Sequence, residues 1–202
     1  VHFAEVGADI VILDVERDQY HCLPGAAAVM RVDLDGRIHT SDPAALVPLL
    51  EAGLVYAEPP GTPTAPIKPA VRELPPGAPS RGDIVRIGVS LAACAGAFRG
   101  KSLARLTKSA YFRPPAARPD EDRLARLVSA ARVARLGIPF EGECLQRAFQ
   151  LRRLLGAHGL TVDWVFGVRT WPFGAHCWLQ GDDLVIGDRL ERIVRYTPIL
   201  RV

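Results

Sequence analysis

The stretch from Pro59 to Gly82, PPGTPTAPIKPAVRELPPGAPSRG, holds eight of the chain's seventeen prolines and constrains the fold more than any other feature. Proline lacks an amide donor and fixes φ, so the stretch excludes an internal helix or a central strand and reads as a semi-extended linker. It divides the 202 residues into a module over residues 1–58, a linker over 59–82 and a domain over 83–202. The two ends carry opposite charge. Residues 1–60 hold three basic and ten acidic side chains, net −7, against +3 for the whole chain, which leaves +10 beyond them.

Apart from the linker, the composition, 49% hydrophobic and 23% charged, is that of an ordinary globular protein. The longest nearly uncharged run, Ile87 to Phe98, is far short of the roughly 20 residues that cross a bilayer. The N-terminus shows no basic segment followed by an apolar one, and Cys22, Cys94, Cys144 and Cys177 have neither disulfide-scaffold nor CxxC spacing. The expectation is a cytoplasmic chain with no membrane partner, no metal and no cofactor.

In the first module, ADIVILDVERDQYHCLPG predicts a β-hairpin: a strand to Val15, a turn over Glu16 to Gln19, and a short strand Tyr20 to Leu23. Gly25 to Val32 predicts a short helix. SDPAALVPLLEAG predicts another, with Ser41 or Asp42 as N-cap, Pro43 near N1 and Gly53 as the stop. Small strands followed by small helices suggest a winged-helix-like module. An extended peptide could add to the edge of the strand Tyr20 to Leu23, with Tyr20 and Cys22 on one face and Leu46 and Leu50 as an opposing apolar wall.

Beyond the linker, Asp83 to Ser109 reads as helical, and Asp120 caps a helix striped by Leu124, Leu127, Val128, Ala131 and Ala134 and ended by Gly137 and Pro139. A third helix opens at EGECLQRAFQLRRLLGAHG, with Cys144, Ala148, Leu151 and Leu155 on one face. Thr161 to Arg169 alternates as a strand, and FGAHCWLQGDDLVIGDR supplies two more, so the domain is α+β.

Cys144 falls in the first turn of its helix, where unpaired amides and the positive end of the macrodipole favour a thiolate, and Gly142 leaves room for a substrate backbone. Neighbours on a strand face opposite sides, so His176 and Cys177 diverge, and Cys177, like Cys94 and Cys22, reads as a buried small hydrophobe. A three-residue turn at Gly181, Asp182 and Asp183 pairs Gln180 with Leu184, Trp178 with Ile186 and His176 with Asp188. The outcome is a candidate triad of Cys144 as nucleophile, His176 as proton carrier and Asp188 as orienting acid.

Helix-borne Cys followed by His on one strand and Asp on the next resembles transglutaminase-like and papain-like enzymes. More narrowly, ECLQRAFQLRRLLGAHGL, VFGVR, FGAHCWLQ and GDR resemble the leader peptidase of lasso-peptide biosynthesis, the B protein, over about residues 83–202. Carried over, Cys144, His176 and Asp188 fill the catalytic positions. Residues 1–60 are similar to the peptide-recognition element related to the small carrier protein of pyrroloquinoline quinone biosynthesis. The resemblance implies a cysteine peptidase that binds and removes the leader of a precursor peptide, freeing the core N-terminus for macrolactam formation by a separate ATP-dependent lasso cyclase. The chain departs from papain-like enzymes in having no glutamine between Asp83 and Cys144 as an oxyanion donor. The Cys144 amide is one candidate donor. Two alternatives remain open from sequence: a transglutaminase-type acyl transferase with the same triad, and a winged-helix DNA-binding protein. The −7 charge of the first module argues against nucleic acid as a partner.

Overall fold

The apolar run DIVILD has no alternation, which requires burial on both sides of a strand, and the computed structural model shows how that happens. It describes residues 1–33, 36–56, 67–108, 120–137 and 143–202. Strands β1 (His2–Val6), β2 (Asp9–Asp14) and β3 (Gln19–Leu23) form an antiparallel sheet in that order, and every residue of β2 is buried. Ile10 and Ile12 face a small core with Met30, Leu49 and Leu54. Val11 and Leu13, with Ala4, join the core of the C-terminal part, where β1 meets the strands Thr197–Arg201 and Asp163–Arg169. The expected hairpin is present. Its turn is tied by the Asp14 carboxylate, which accepts from the Glu16 and Arg17 amides at 3.1 Å each.

The helix expected over Gly25 to Val32 shrinks to a 3-10 turn at Ala26–Ala28, because Met30–Val32 (β4) pairs with Ile38–Thr40 (β5). Cross-strand pairing outweighs local propensity there. Asp42 caps the next segment, accepting from the Ala44 amide at 3.0 Å, and a 3-10 turn at Pro43–Leu46 runs into α1 (Val47–Glu51). Among the described residues of 1–56, α1 is the sole α-helix, so the helical half of a winged-helix-like module is reduced to five residues and two 3-10 turns.

The proline-rich stretch is not a free linker over its whole length. Residues 57–66 lie outside the described residues, whereas 67–82 are built into the C-terminal part. Arg72–Glu73 (β6) pairs in parallel with Leu184–Ile186 at the edge of the larger sheet, a position where flanking prolines are tolerated. Arg72 forms a bidentate pair with Glu121 at 2.8 and 3.0 Å, and the Gly77 amide donates to Ser129 Oγ at 2.9 Å.

Four helices follow: α2 (Arg81–Phe98), opened by a Ser80–Asp83 capping box; α3 (Leu103–Lys108); α4 (Glu121–Arg135), capped by Asp120 as expected; and α5 (Cys144–Ala157). Pro139 lies outside the described residues. Strands β7 (Asp163–Arg169), β8 (Gly174–Gly181) and β9 (Leu184–Ile186), then α6 (Leu190–Ile193) and β10 (Thr197–Arg201), complete a five-stranded sheet in the order β10-β7-β8-β9-β6. Ala148, Leu151 and Leu155 of α5 are buried against β7 and β8, as their spacing predicts. Each buried leucine contributes about 1.5–3 kcal/mol of apolar transfer, which anchors α5 and with it Cys144. Val165, Trp178, Val185 and Ile193 form a separate cluster on the opposite face of the sheet, with Ile67 and Ala70 packed on it. No helix among the described residues is long and apolar enough to cross a membrane.

Candidate active site

Cys144 is the first residue of α5, and Glu143 at the N-cap provides no side-chain bond to the first-turn amides. The helix therefore presents its positive end and free N–H groups at the sulfur. Gly142 lies outside the described residues. Strand β9 pairs with β8 over Leu179 to Gly181 alone, so the part of β8 before Leu179 has an edge without a β9 partner among the described residues. The N-terminus of α5 stands at that edge. There Cys144 lines one cleft with His176 and Cys177, and both residues favour its thiolate.

His176 Nε2 and Asp188 Oδ2 are 2.5 Å apart, with both side chains about nine-tenths buried. That bond leaves Nδ1 as the ring nitrogen for Cys144. The ring is near-parallel to Trp178 at 6.3 Å and meets Tyr196 at 5.3 Å, and the Arg169 guanidinium lies over the Tyr196 ring at 5.4 Å. Gly167 stands opposite His176 in β7, where a Cβ would meet the Trp178 ring at 2.7 Å and Tyr196 Cβ at 2.9 Å. Only glycine lets these rings close over the imidazole.

The pair His176–Asp188 is the one expected, but the expected register is not what makes it. The hairpin turns on two residues, Asp182 and Asp183, with Asp182 at φ 56, and pairs Gly181 with Leu184, Gln180 with Val185 and Leu179 with Ile186. Continued, this register would set Asp188 opposite Cys177 rather than His176. Gly187 breaks it: its φ of +73 ends the strand and turns Asp188 toward the imidazole. An alanine there carries the left-handed penalty of about 1–2 kcal/mol and places its Cβ 2.8 Å from Leu151 Cδ2. Gly187→Ala is expected to lower the melting temperature by several degrees and to reduce turnover more than its stability loss explains. Thermal unfolding and kinetics on the folded fraction check this.

The electrostatics fit the geometry. Hydrogen bonds from the Cys177 and His176 side chains outweigh burial and hold the Cys144 thiol down at about 4. Burial works to lower His176, yet its bonds to Asp188 and Cys144 raise it to about 9. Burial opposes ionisation of Asp188, but His176, the Arg189 amide and Arg192 together keep it below the usual carboxylate range. The resting pair is a thiolate and an imidazolium. The Cys177 thiol is pushed up, first by its bond to Cys144 and then by burial. Strand parity does turn Cys177 into the core and His176 toward Trp178, but both line one cleft with Cys144 at the strand edge. Sequence reasoning missed Cys177 as a partner of Cys144, and it missed Trp178, Tyr196, Arg192 and Gly187 as the frame of His176 and Asp188.

The four residues expected to hold an extended peptide do not share one groove. Tyr20 and Cys22 turn toward the core of the C-terminal part, whereas Leu46 packs on the opposite side of the small sheet and Leu50 is exposed. Tyr20 nevertheless lies close to the site. Its ring meets Phe173 at 5.7 Å, and its hydroxyl is pushed up to about 12, mainly by burial. The exposed Trp171 is fixed beside it, its indole N–H donating to the buried Asp9 carboxylate at 2.7 Å. Strand β3 pairs with β2 alone among the described residues, so its outer edge remains a place for an added strand.

A cleft of about 390 Å³ opens over Cys144, His176 and Asp188 and is lined further by Arg135, Glu143, Arg147, Arg192 and Tyr196. No group of three or more His, Cys, Asp or Glu among the described residues could hold a metal ion. Residues 88–201 match the family model of the Transglutaminase-like superfamily. Among curated proteins, the microcin J25-processing protein McjB of Escherichia coli is 37% identical over 49 residues, which are 24% of this chain and 24% of that protein. The chain thus aligns with about a quarter of that relative's length. No solved structure matches it.

Proposed function

The chain belongs to the transglutaminase-like superfamily, and from that premise we propose that it is a cysteine peptidase that removes the leader from a precursor peptide of the lasso class. The observation that carries the reading is one cleft that holds Cys144, at a helix N-terminus, together with an imidazole that Asp188 orients. The partial likeness to a protein named for processing microcin J25 supports the substrate class.

In this reading the Cys144 thiolate attacks the carbonyl at the end of the leader. The first-turn N–H groups of α5, Cys144's own among them, face the developing oxyanion. His176 gives its proton to the leaving amine, which becomes the core's new N-terminus, and the leader remains as a thioester. Neutral His176 then takes a proton from water, hydroxide attacks the thioester, and the Cys144 thiolate leaves. Asp188 keeps the ring oriented and stabilises its charge throughout. Residues 1–58, as a winged-helix-like recognition element, hold the leader along the edge of β3, with Tyr20 nearest the cysteine. A separate ATP-dependent cyclase in the cytoplasm consumes the freed amine.

The test is incubation of the full chain with a synthetic leader–core peptide followed by mass spectrometry. Two fragments that together exceed the substrate by one water support hydrolysis. An amine-linked product instead of a free leader acid identifies acyl transfer, and an intact peptide overturns the reading. The active ion pair also fixes a pH profile. Protonation of Cys144 removes the nucleophile as pH falls through about 4, and loss of the His176 proton removes the general acid as pH rises through about 9. A kcat/KM plateau between these limits is expected; a profile that climbs only above pH 8 contradicts a preformed thiolate.

A further inference from the structure

A second thiol lies beside Cys144, and the peptidase chemistry makes no use of its reactivity. Cys177 is 4% exposed, packs in the same apolar core as the half-buried Cys144, and lines the same cleft. Its thiol and its backbone N–H both favour the Cys144 thiolate, as neighbours lining one cleft do. Behind Cys177, the Trp164 indole N–H is fully buried and makes no hydrogen bond, and it favours ionisation of the Cys177 thiol. This arrangement sets one thiol beside another and places a fixed donor behind the second.

We propose that Cys177 is a resolving cysteine: oxidation of Cys144 by a peroxide ends in a reversible Cys144–Cys177 disulfide rather than in irreversible sulfinic or sulfonic acid. Low-pKa thiolates open to solvent are the preferred targets of peroxide, and a neighbouring thiol diverts the first product. The Cys144 thiolate attacks one oxygen of hydrogen peroxide. The O–O bond breaks, Cys144 becomes a sulfenic acid, and hydroxide leaves as water with the proton of the His176 imidazolium. Cys177 then attacks the sulfenic sulfur. The S–O bond breaks, and the departing hydroxide takes the Cys177 proton as a second water. Peroxide gains two electrons and the two thiols lose two.

The order of events follows from the surroundings. While Cys144 is anionic, it holds the Cys177 proton in place together with burial. Once Cys144 is an uncharged sulfenic acid that restraint is gone, and the Trp164 N–H favours the Cys177 thiolate. The shared cleft makes the second step intramolecular, with a high effective concentration. The proposal needs Cys144 to be a thiolate but not the protein to be a peptidase.

The experiment treats the full chain with a few equivalents of hydrogen peroxide and reads intact mass and a non-reducing peptide map, neither of which involves peptide cleavage by the protein. The expected result is loss of two hydrogens and a linked peptide pair joining Cys144 to Cys177, both reversed by dithiothreitol. Cys177→Ala and, as a second variant in case the first fails to fold, Cys177→Ser should instead gain two or three oxygens on Cys144 that dithiothreitol does not remove. Cys22→Ser and Cys94→Ser should behave as the parent. Addition of oxygens to Cys144 in the parent without the linked pair, a pair joining Cys144 to Cys22 or Cys94, or a Cys144 that excess peroxide leaves untouched each overturns the proposal. Loss of the peptidase reading alone would leave these masses unchanged.

Discussion

Cys144→Ala is expected to abolish leader cleavage, with kcat/KM falling by about 10⁴-fold or more, while the dissociation constant for the leader stays within a factor of about 2. The loss is large because the sulfur forms the bond to the acyl group, and no neighbouring group can replace it: His176 is committed to Asp188, and Cys177 is held protonated in the core. Binding is spared because the proposed recognition edge is on β3, while Cys144 contributes only its half-buried side chain. Cys177→Ala provides the contrast. It removes the side chain that most favours the thiolate, so the Cys144 pKa rises. From a start near 4 the thiol remains ionised at neutral pH. Most activity at pH 7 should therefore survive, and the acidic limb of the pH profile should move upward. Cleavage by Cys144→Ala at the parent's rate would remove the cysteine from the mechanism.

Much of the C-terminal part was legible because its signals are local. Asp120 caps α4, and the four-residue and three-residue spacings of Cys144, Ala148, Leu151 and Leu155 fix both the start of α5 and its buried face. What was not legible depends on distant partners. Arg72–Glu73 sits among prolines, and its strand exists because the edge of β9 is there to pair with it. Met30–Val32 reads as helix until its pairing with Ile38–Thr40 is known. Alternation correctly groups Tyr20 with Cys22. It cannot say that their face turns to the C-terminal core while Leu46 belongs to the other side of the sheet.

That shared core changes how the two-part organisation has to be tested. Ala4, Val11 and Leu13 are buried with Leu91, Leu155 and Phe166 in one cluster, and Asp9 holds Trp171 across the same boundary. Separating residues 1–58 from the rest would expose this surface, so failure of either piece would report misfolding rather than lost recognition. Substitutions on the outer edge of β3 in the whole chain ask the question without opening the core.

Asp188→Asn is expected to lower kcat by about 10³–10⁴-fold with little change in the melting temperature. The side chain is isosteric, and its remaining oxygen still accepts from the Arg189 amide, which reaches Asp188 Oδ1 at 2.8 Å. The group facing His176 Nε2 becomes a donor or an uncharged acceptor, so the imidazolium loses the partner that holds it. Asp188 is the first of the groups that lift His176 against burial, so without it the imidazole pKa falls from about 9. The sign is therefore fixed: the alkaline limb of kcat/KM moves down, and the imidazolium that serves the thiolate as counter-ion and the leaving amine as proton donor is weakened. Asp182→Asn and Asp183→Asn provide the comparison. Those carboxylates pair with Lys68 at 2.9 Å and Arg72 at 3.1 Å on the exposed hairpin, where an ion pair is worth about 0–1 kcal/mol. Their variants should keep the parent's rate and its alkaline limb. The two-residue turn makes this contrast sharp, since register alone would direct Asp188 to Cys177 and only the Gly187 turn brings it to His176. An Asp188→Asn protein with the parent's pH profile would mean that this turn positions a structural carboxylate, and that His176 is held for catalysis by its aromatic neighbours alone.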